Sequence, residues 1–122
     1  MDHLSNKLEE RTEVFGEKVI VLCKKLKLNL INKPIISQII RSATSIGANY
    51  MEANNAASKK DFANKIFICK KEAQETKHWL RMLSVSENSE EVTTQLRELW
   101  QECHELTMIF QKIVSTIRLN EK

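Results

Sequence analysis

Apolar residues recur along this chain at steps of three and four, the period of a helix buried on one face. A first segment, about residues 5–26, carries Leu4, Leu8, Phe15, Val19, Leu22 and Leu26, with a gap at Arg11–Thr12. The link KLNLINK follows; Asn32 is the expected N-cap of the next helix, and Pro34 falls in its first turn, where a missing N–H costs nothing. A second segment, about 34–56, places Ile35, Ile39, Ile46, Tyr50 and Ala53 on one face. The third, about 59–84, opens after Ser58, with Asp61 three residues on as in a capping box. Its seam is Phe62, Ile66, Cys69, Ala73, Thr76, Leu80 and Leu83, and the link SVSEN ends it. The fourth, about 90–119, opens near Ser89 and sustains a heptad-like seam of Val92, Leu96, Leu99, Cys103, Leu106, Phe110, Ile113 and Ile117. Four such segments with short links predict an all-α fold, a single antiparallel up-down-up-down four-helix bundle over residues 1–122. A three-helix array with a fused segment is the alternative.

Composition agrees with that architecture. The chain has 122 residues, enough to bury a core without staples, and only two glycines and one proline, too few for the turns of a sandwich or barrel. Cys23, Cys69 and Cys103 are odd in number, lack CxxC spacing and lie in or beside apolar repeats, so they read as free core thiols in a reducing compartment. The start, MDHLSNKLEE, lacks the basic and apolar regions of a signal peptide, and no run reaches the roughly 18 apolar residues of a membrane span. The expectation is a cytoplasmic chain without membrane contact.

Net charge is only +3, but its distribution is uneven. Residues 58–81 hold seven Lys or Arg against three acids, whereas residues 89–122 hold four against six. On the third segment Lys70, Gln74, Lys77 and Arg81 form one stripe, with Lys59 and Lys60 at the helix start. Cations at one-turn spacing suit a phosphate backbone, so these five basic residues are the candidate nucleic-acid contacts. The alternative is an exposed face that pairs with acids of the fourth segment. On the far flank lie Ile68, Glu72, Glu75 and Trp79, and Trp79 suits an interface better than a catalytic pocket.

The stretch RSATSIGANYMEANNA, residues 41–56, crowds small and polar residues into a helix. At about 100° per residue, Gln38, Arg41, Ser45, Asn49 and Glu52 form a polar ridge beside the Ile39–Ile46–Tyr50 face. A solvated face more usually carries Lys and Glu, the better helix formers. The ridge therefore reads either as a solvated face or as a hydrogen-bonded packing seam, within the bundle or between subunits, with Tyr50, Glu72, Glu75 and Trp79 as its further members.

Catalytic patterns are sparse. His3, His78 and His104 are scattered, and Cys103 and His104, adjacent on a helix, point about 100° apart. There is no HExxH, CxxC or glycine-rich phosphate loop, and Glu75–His78 is a lone ExxH. The expectation is no enzyme, no cofactor and no metal.

The run Gln38-x-x-Arg41-Ser42-Ala43-Thr44-Ser45-Ile46-x-Ala48-Asn49-Tyr50-x-Glu52-Ala53 resembles the signature of the bacterial four helix bundle proteins, also called 23S ribosomal RNA intervening-sequence proteins. The likeness continues through Ser58-Lys59-x-Asp61-Phe62 and Lys71-Glu72-Ala73-x-Glu75-Thr76-x-x-Trp79-Leu80-x-x-Leu83. The resemblance implies an up-down bundle that assembles as a homo-oligomer, a ring-shaped pentamer, with no catalytic residues. A similar bundle serves as the accessory protein of diversity-generating retroelements, a basic pentamer that associates with reverse transcriptase and nucleic acid. Two functions compete: an oligomeric module that binds RNA or DNA through its basic face, and a structural or adaptor subunit that binds a protein partner without nucleic-acid contact.

Overall fold

The four periods correspond to four helices: α1 (His3–Lys24), α2 (Asn32–Asn54), α3 (Lys59–Ser86) and α4 (Glu90–Asn120). The computed structural model describes residues 3–120, and side chains from Lys7 onward; Met1, Asp2, Glu121 and Lys122, and the side chains of His3, Leu4, Ser5 and Asn6, lie outside the described residues. α3 packs on both α2 and α4, while α1 packs on α2 and more lightly on α4. No strand occurs among the described residues, and no described helix is long and apolar enough to cross a membrane.

Local chemistry sets the helix ends. Ser58 is extended, and its hydroxyl oxygen accepts the Asp61 N–H at 3.0 Å, which starts α3. Ser89 does the same for the Val92 N–H at 3.3 Å. The α2 start differs from expectation. Asn29, not Asn32, caps it: Asn29 Oδ1 accepts from the N–H groups of Ile31 (2.9 Å) and Asn32 (2.8 Å). Asn32 instead folds back into the link, where its Oδ1 accepts from the Asn29 N–H (2.8 Å) and its Nδ2 donates to the Lys27 carbonyl (3.0 Å). Asn32 is 1% exposed while Asn29 stays at the surface, and each asparagine binds the other's backbone.

The core follows the seams with two shifts. On α2, Ile36 is buried and Ile35 only partly so, giving a stripe of Ile36, Ile39, Ala43, Ile46, Tyr50 and Ala53. On α4, Val114 is fully buried, while Ile113 and Ile117 pack at the margin. A straight helix drifts about 20° per heptad from a strict 3.5 repeat, so a seam that starts at Leu96 has moved round by Val114.

The Arg11–Thr12 gap in the α1 pattern marks a close approach of α1 and α2. Thr12 is 1% exposed, and a Cβ on Gly47 would stand 3.4 Å from its hydroxyl oxygen. Gly16 faces Ala43 and Thr44 across the same contact. Between α2 and α3 the Thr76 hydroxyl meets Ser42 Oγ at 2.8 Å, both residues fully buried, as are the nearby Ala43 and Ala73. Cysteines add weak ties to the next carbonyl over: Cys69 Sγ to Ile46 O at 3.6 Å and Cys103 Sγ to Ala73 O at 3.1 Å.

Two stability tests follow from this packing. Asn32→Ala leaves the Asn29 N–H and the Lys27 carbonyl without their partner, and is expected to cost about 1–3 kcal/mol in urea denaturation. Ser42→Leu overpacks the α2–α3 seam and is expected to cost about 1–3 kcal/mol or more. Ser45→Leu, half-buried on the ridge, is expected to cost clearly less; the reverse order contradicts this account of the seam.

Candidate nucleic-acid interface

α3 is oriented by its acidic flank. The Arg41 guanidinium reaches across from α2 to Glu72 (3.1 Å) and also pairs with Glu75. Gln38 Oε1 accepts from Arg41 Nε at 3.1 Å, and Lys65 pairs with Glu52 at 2.7 Å. Ser45 donates to the Arg41 carbonyl (2.6 Å) and Asn49 to the Ser45 carbonyl (2.8 Å), both within α2. The structure thus brings Gln38, Arg41, Glu72 and Glu75 together at the α2–α3 edge, and Glu52 lies farther along it with Lys65. Tyr50 is separate: it is 4% exposed, with its ring 5.9 Å from that of Phe110 in the core. Trp79 is half-buried, lies edge-on to His78 at 4.8 Å, and buries an indole N–H that has no acceptor among the described residues.

With its carboxylates turned to α2, α3 presents its basic stripe to α4. Lys70 and Gln74 line a shallow hollow with Thr107, Met108, Gln111 and Lys112. One turn on, Lys77 Nζ donates to His104 Nδ1 at 3.1 Å and lies 5.4 Å from the centre of the Trp100 ring. An ammonium cannot accept, so the His104 proton must sit on Nε2. The His104 and Trp100 rings stack at 5.1 Å and 12°. Arg81 then shares a second hollow with Arg97 and Trp100. At the other end Lys59 and Lys60 border a hollow of about 960 Å³ with Phe62, Phe67 and Ile117, and Arg118 stands over Phe67 at 5.6 Å. Among the described residues, none of these hollows is lined by Asp or Glu.

Three acids of α4 face α1. Arg11 of α1 makes a two-point contact with Glu102 (2.8 and 2.7 Å) and reaches Glu105 at 3.3 Å. The Glu102 hydrogen bond raises the Arg11 guanidinium above its ordinary pKa. Glu98 lines the α1–α4 groove with Glu17, Lys18 and Lys25. Among the described residues, ion pairs join α1 to α4 and α2 to α3, and none joins α3 to α4. The expected cancellation of the basic stripe by α4 does not take place.

The sequence pointed to Lys70, Lys77 and Arg81 but not to Arg97, Trp100, His104, Lys112 and Arg118, which complete the face from α4. Their spacing held a signal: positions 97, 100, 104 and 118 project within about 60° of one another, beside the apolar seam, with Lys112 about 60° to the other side of Arg97. Net charge by segment hid it, because α4 also carries Glu98, Glu102 and Glu105, which turn towards α1.

Thiol chemistry is suppressed. Burial pushes Cys23 up to about 11 and Cys69 and Cys103 up to about 12. Cys103 points at the Ala73 carbonyl while His104 turns to Lys77, so the neighbours form no pair.

The architecture is that of an all-helical bundle with one charge-segregated face. The chain belongs to the 23S rRNA-intervening sequence protein family, whose profile matches residues 5–112. It is similar to a protein of unknown function from the S23 ribosomal protein family of Bacteroides thetaiotaomicron, solved by crystallography. The two are 33% identical, over 91% of this chain and 97% of that one, with a TM-score of 0.76. No functionally curated protein matches the chain.

A disulfide reagent near neutral pH is expected to label the three cysteines slowly in the native protein and rapidly in urea; prompt native labelling contradicts their burial. Unfolded thiols titrate at about 8.5. The folded ones, at about 11 to 12, bind protons more tightly, so stability contributed by the thiols is intact below about pH 8 and falls as pH rises beyond it.

Proposed function

We propose that this chain is a non-enzymatic, self-associating cytoplasmic protein that binds RNA or DNA along its α3–α4 face. The supporting observation is the run of cations across two helices, from Arg118 and Lys112 past Lys70 and Lys77 to Arg81 and Arg97, with no carboxylate lining its hollows. A polyanion releases condensed counterions when such a row neutralises its phosphates, and the gain falls steeply with salt.

Self-association, in fives by the family resemblance, draws support from one end of the bundle. There Leu28, Leu30 and Ile31 of the α1–α2 link and Val85 near the α3–α4 link expose large apolar side chains, Leu30 at 93%. The adaptor reading loses Tyr50, which lies in the core, and keeps Trp79 and this apolar end.

Filter binding across a salt series tests the proposal. Reversing Lys70, Arg81 and Arg97 to Glu together is expected to make the negative slope of log K against log salt shallower by about 2–3 and to leave the thermal midpoint near that of the parent. None of the three holds an ion pair among the described residues. Reversal of Lys18 and Lys25, on the α1–α4 groove, is the control expected to change little. Absence of RNA and DNA affinity at low salt overturns the proposal. Native mass spectrometry reads the subunit number directly, and a strictly monomeric chain refutes self-association.

A further inference from the structure

The hollow between Arg81 and Arg97 differs in kind from the rest of the basic face. It measures about 290 Å³ and is lined by Leu80, Arg81, Ser84, Leu96, Arg97 and Trp100. Leu80 and Leu96 are buried and form an apolar floor. Trp100, half-buried, is one wall, and Arg81 and Arg97 are exposed at the rim. The indole is held in place: its ring stacks on His104, and the Lys77 ammonium lies over it.

These features constrain the occupant. A phosphate alone gains nothing from a leucine floor and an indole wall. An apolar side chain gains nothing from two guanidinium groups with no acid between them. A duplex presents phosphates but keeps its bases stacked and paired inside. An unpaired nucleobase meets each requirement at once: its flat face suits the indole and the leucines, while its flanking phosphates reach Arg81 and Arg97. We infer that this hollow receives one unstacked base of a single-stranded nucleic acid, with Trp100 as the stacking surface and Arg81 and Arg97 as clamps on the adjoining phosphates. The inference rests on the nucleic-acid reading of the α3–α4 face and adds strand selectivity to it. RNA and DNA single strands share the base and phosphate chemistry that the hollow recognises.

The test uses the full chain and a short RNA of mixed sequence, presented as a single strand or annealed to its complement, with the matching DNA strand as a third probe. The single strand is expected to bind more tightly than the duplex at the same phosphate concentration. Trp100→Leu is expected to lower single-strand affinity about tenfold and collapse the preference, while Trp100→Phe keeps most of it. A Trp79→Phe background leaves Trp100 as the lone indole, so the stack is also read without perturbing the hollow. Single strands are then expected to quench its fluorescence, and binding without quenching overturns the inference. Equal affinity for strand and duplex overturns the base pocket and leaves the salt-dependent basic face standing. Failure of all three probes to bind at low salt overturns both. RNA bound in strong preference to DNA of the same sequence supports the inference and assigns the partner to RNA.

Discussion

The close approach of α2 and α3 fixes the rest of the bundle. At its centre the hydroxyls of Ser42 and Thr76 meet at 2.8 Å, with Ala43 and Ala73 nearby, all fully buried. Small side chains let the two backbones close. Each hydroxyl also lies within reach of a carbonyl of its own helix, Thr76 of Glu72 O at 2.7 Å and Ser42 of Ile39 O at 3.4 Å, so the pair places two locally satisfied side chains against each other and marks the register in which both fit. Arg41 extends the same contact to the surface through Glu72 and Glu75. Exposed ion pairs contribute little in general, at most about 1 kcal/mol. Their importance here is rotational, since they turn the acidic flank of α3 towards α2.

That rotation decides the electrostatics. Once Glu72 and Glu75 face α2, Lys70, Lys77 and Arg81 face α4. Helix α4 makes the complementary choice. Its Glu102 and Glu105 turn to Arg11 of α1, and its Arg97 and Lys112 turn to α3. A chain whose net charge is only +3 thereby shows one face without opposing carboxylates in its hollows. Lys77 is partly committed, tied to His104 and Trp100, and serves to hold the aromatic pair as much as to offer charge. Arg81 and Arg97 are the less committed cations.

Several details were legible along the chain and others were not. Ser58 and Ser89 announce helix starts because a cap is a local device, settled within three residues. Asn32 misleads for the same reason: two asparagines lie within reach of one helix end, and only the path of the link decides that Asn29 caps while Asn32 turns inward. The polar ridge was visible as a periodicity, but its members have different roles. Arg41 bridges helices, Ser45 and Asn49 bond their own backbone, and Ser42, hidden in the run of small residues, carries the buried contact. Thr12 looked like a gap in an apolar pattern, although a buried threonine facing Gly47 is packing by smallness rather than by bulk.

The sequence by itself determined the number of helices, their order, most of their ends and most of the core, because period, capping and burial of apolar side chains act over a turn or two of chain. It also marked one side of α3 as basic. Only the tertiary structure decided what that side faces. Whether Lys70 and Arg81 meet acids or further cations depends on how α3 and α4 are rotated about their own axes. That rotation is fixed by contacts between residues more than thirty positions apart, Ser42 with Thr76 and Arg11 with Glu102. A helical period records which residues share a face; it does not record which neighbour that face will meet.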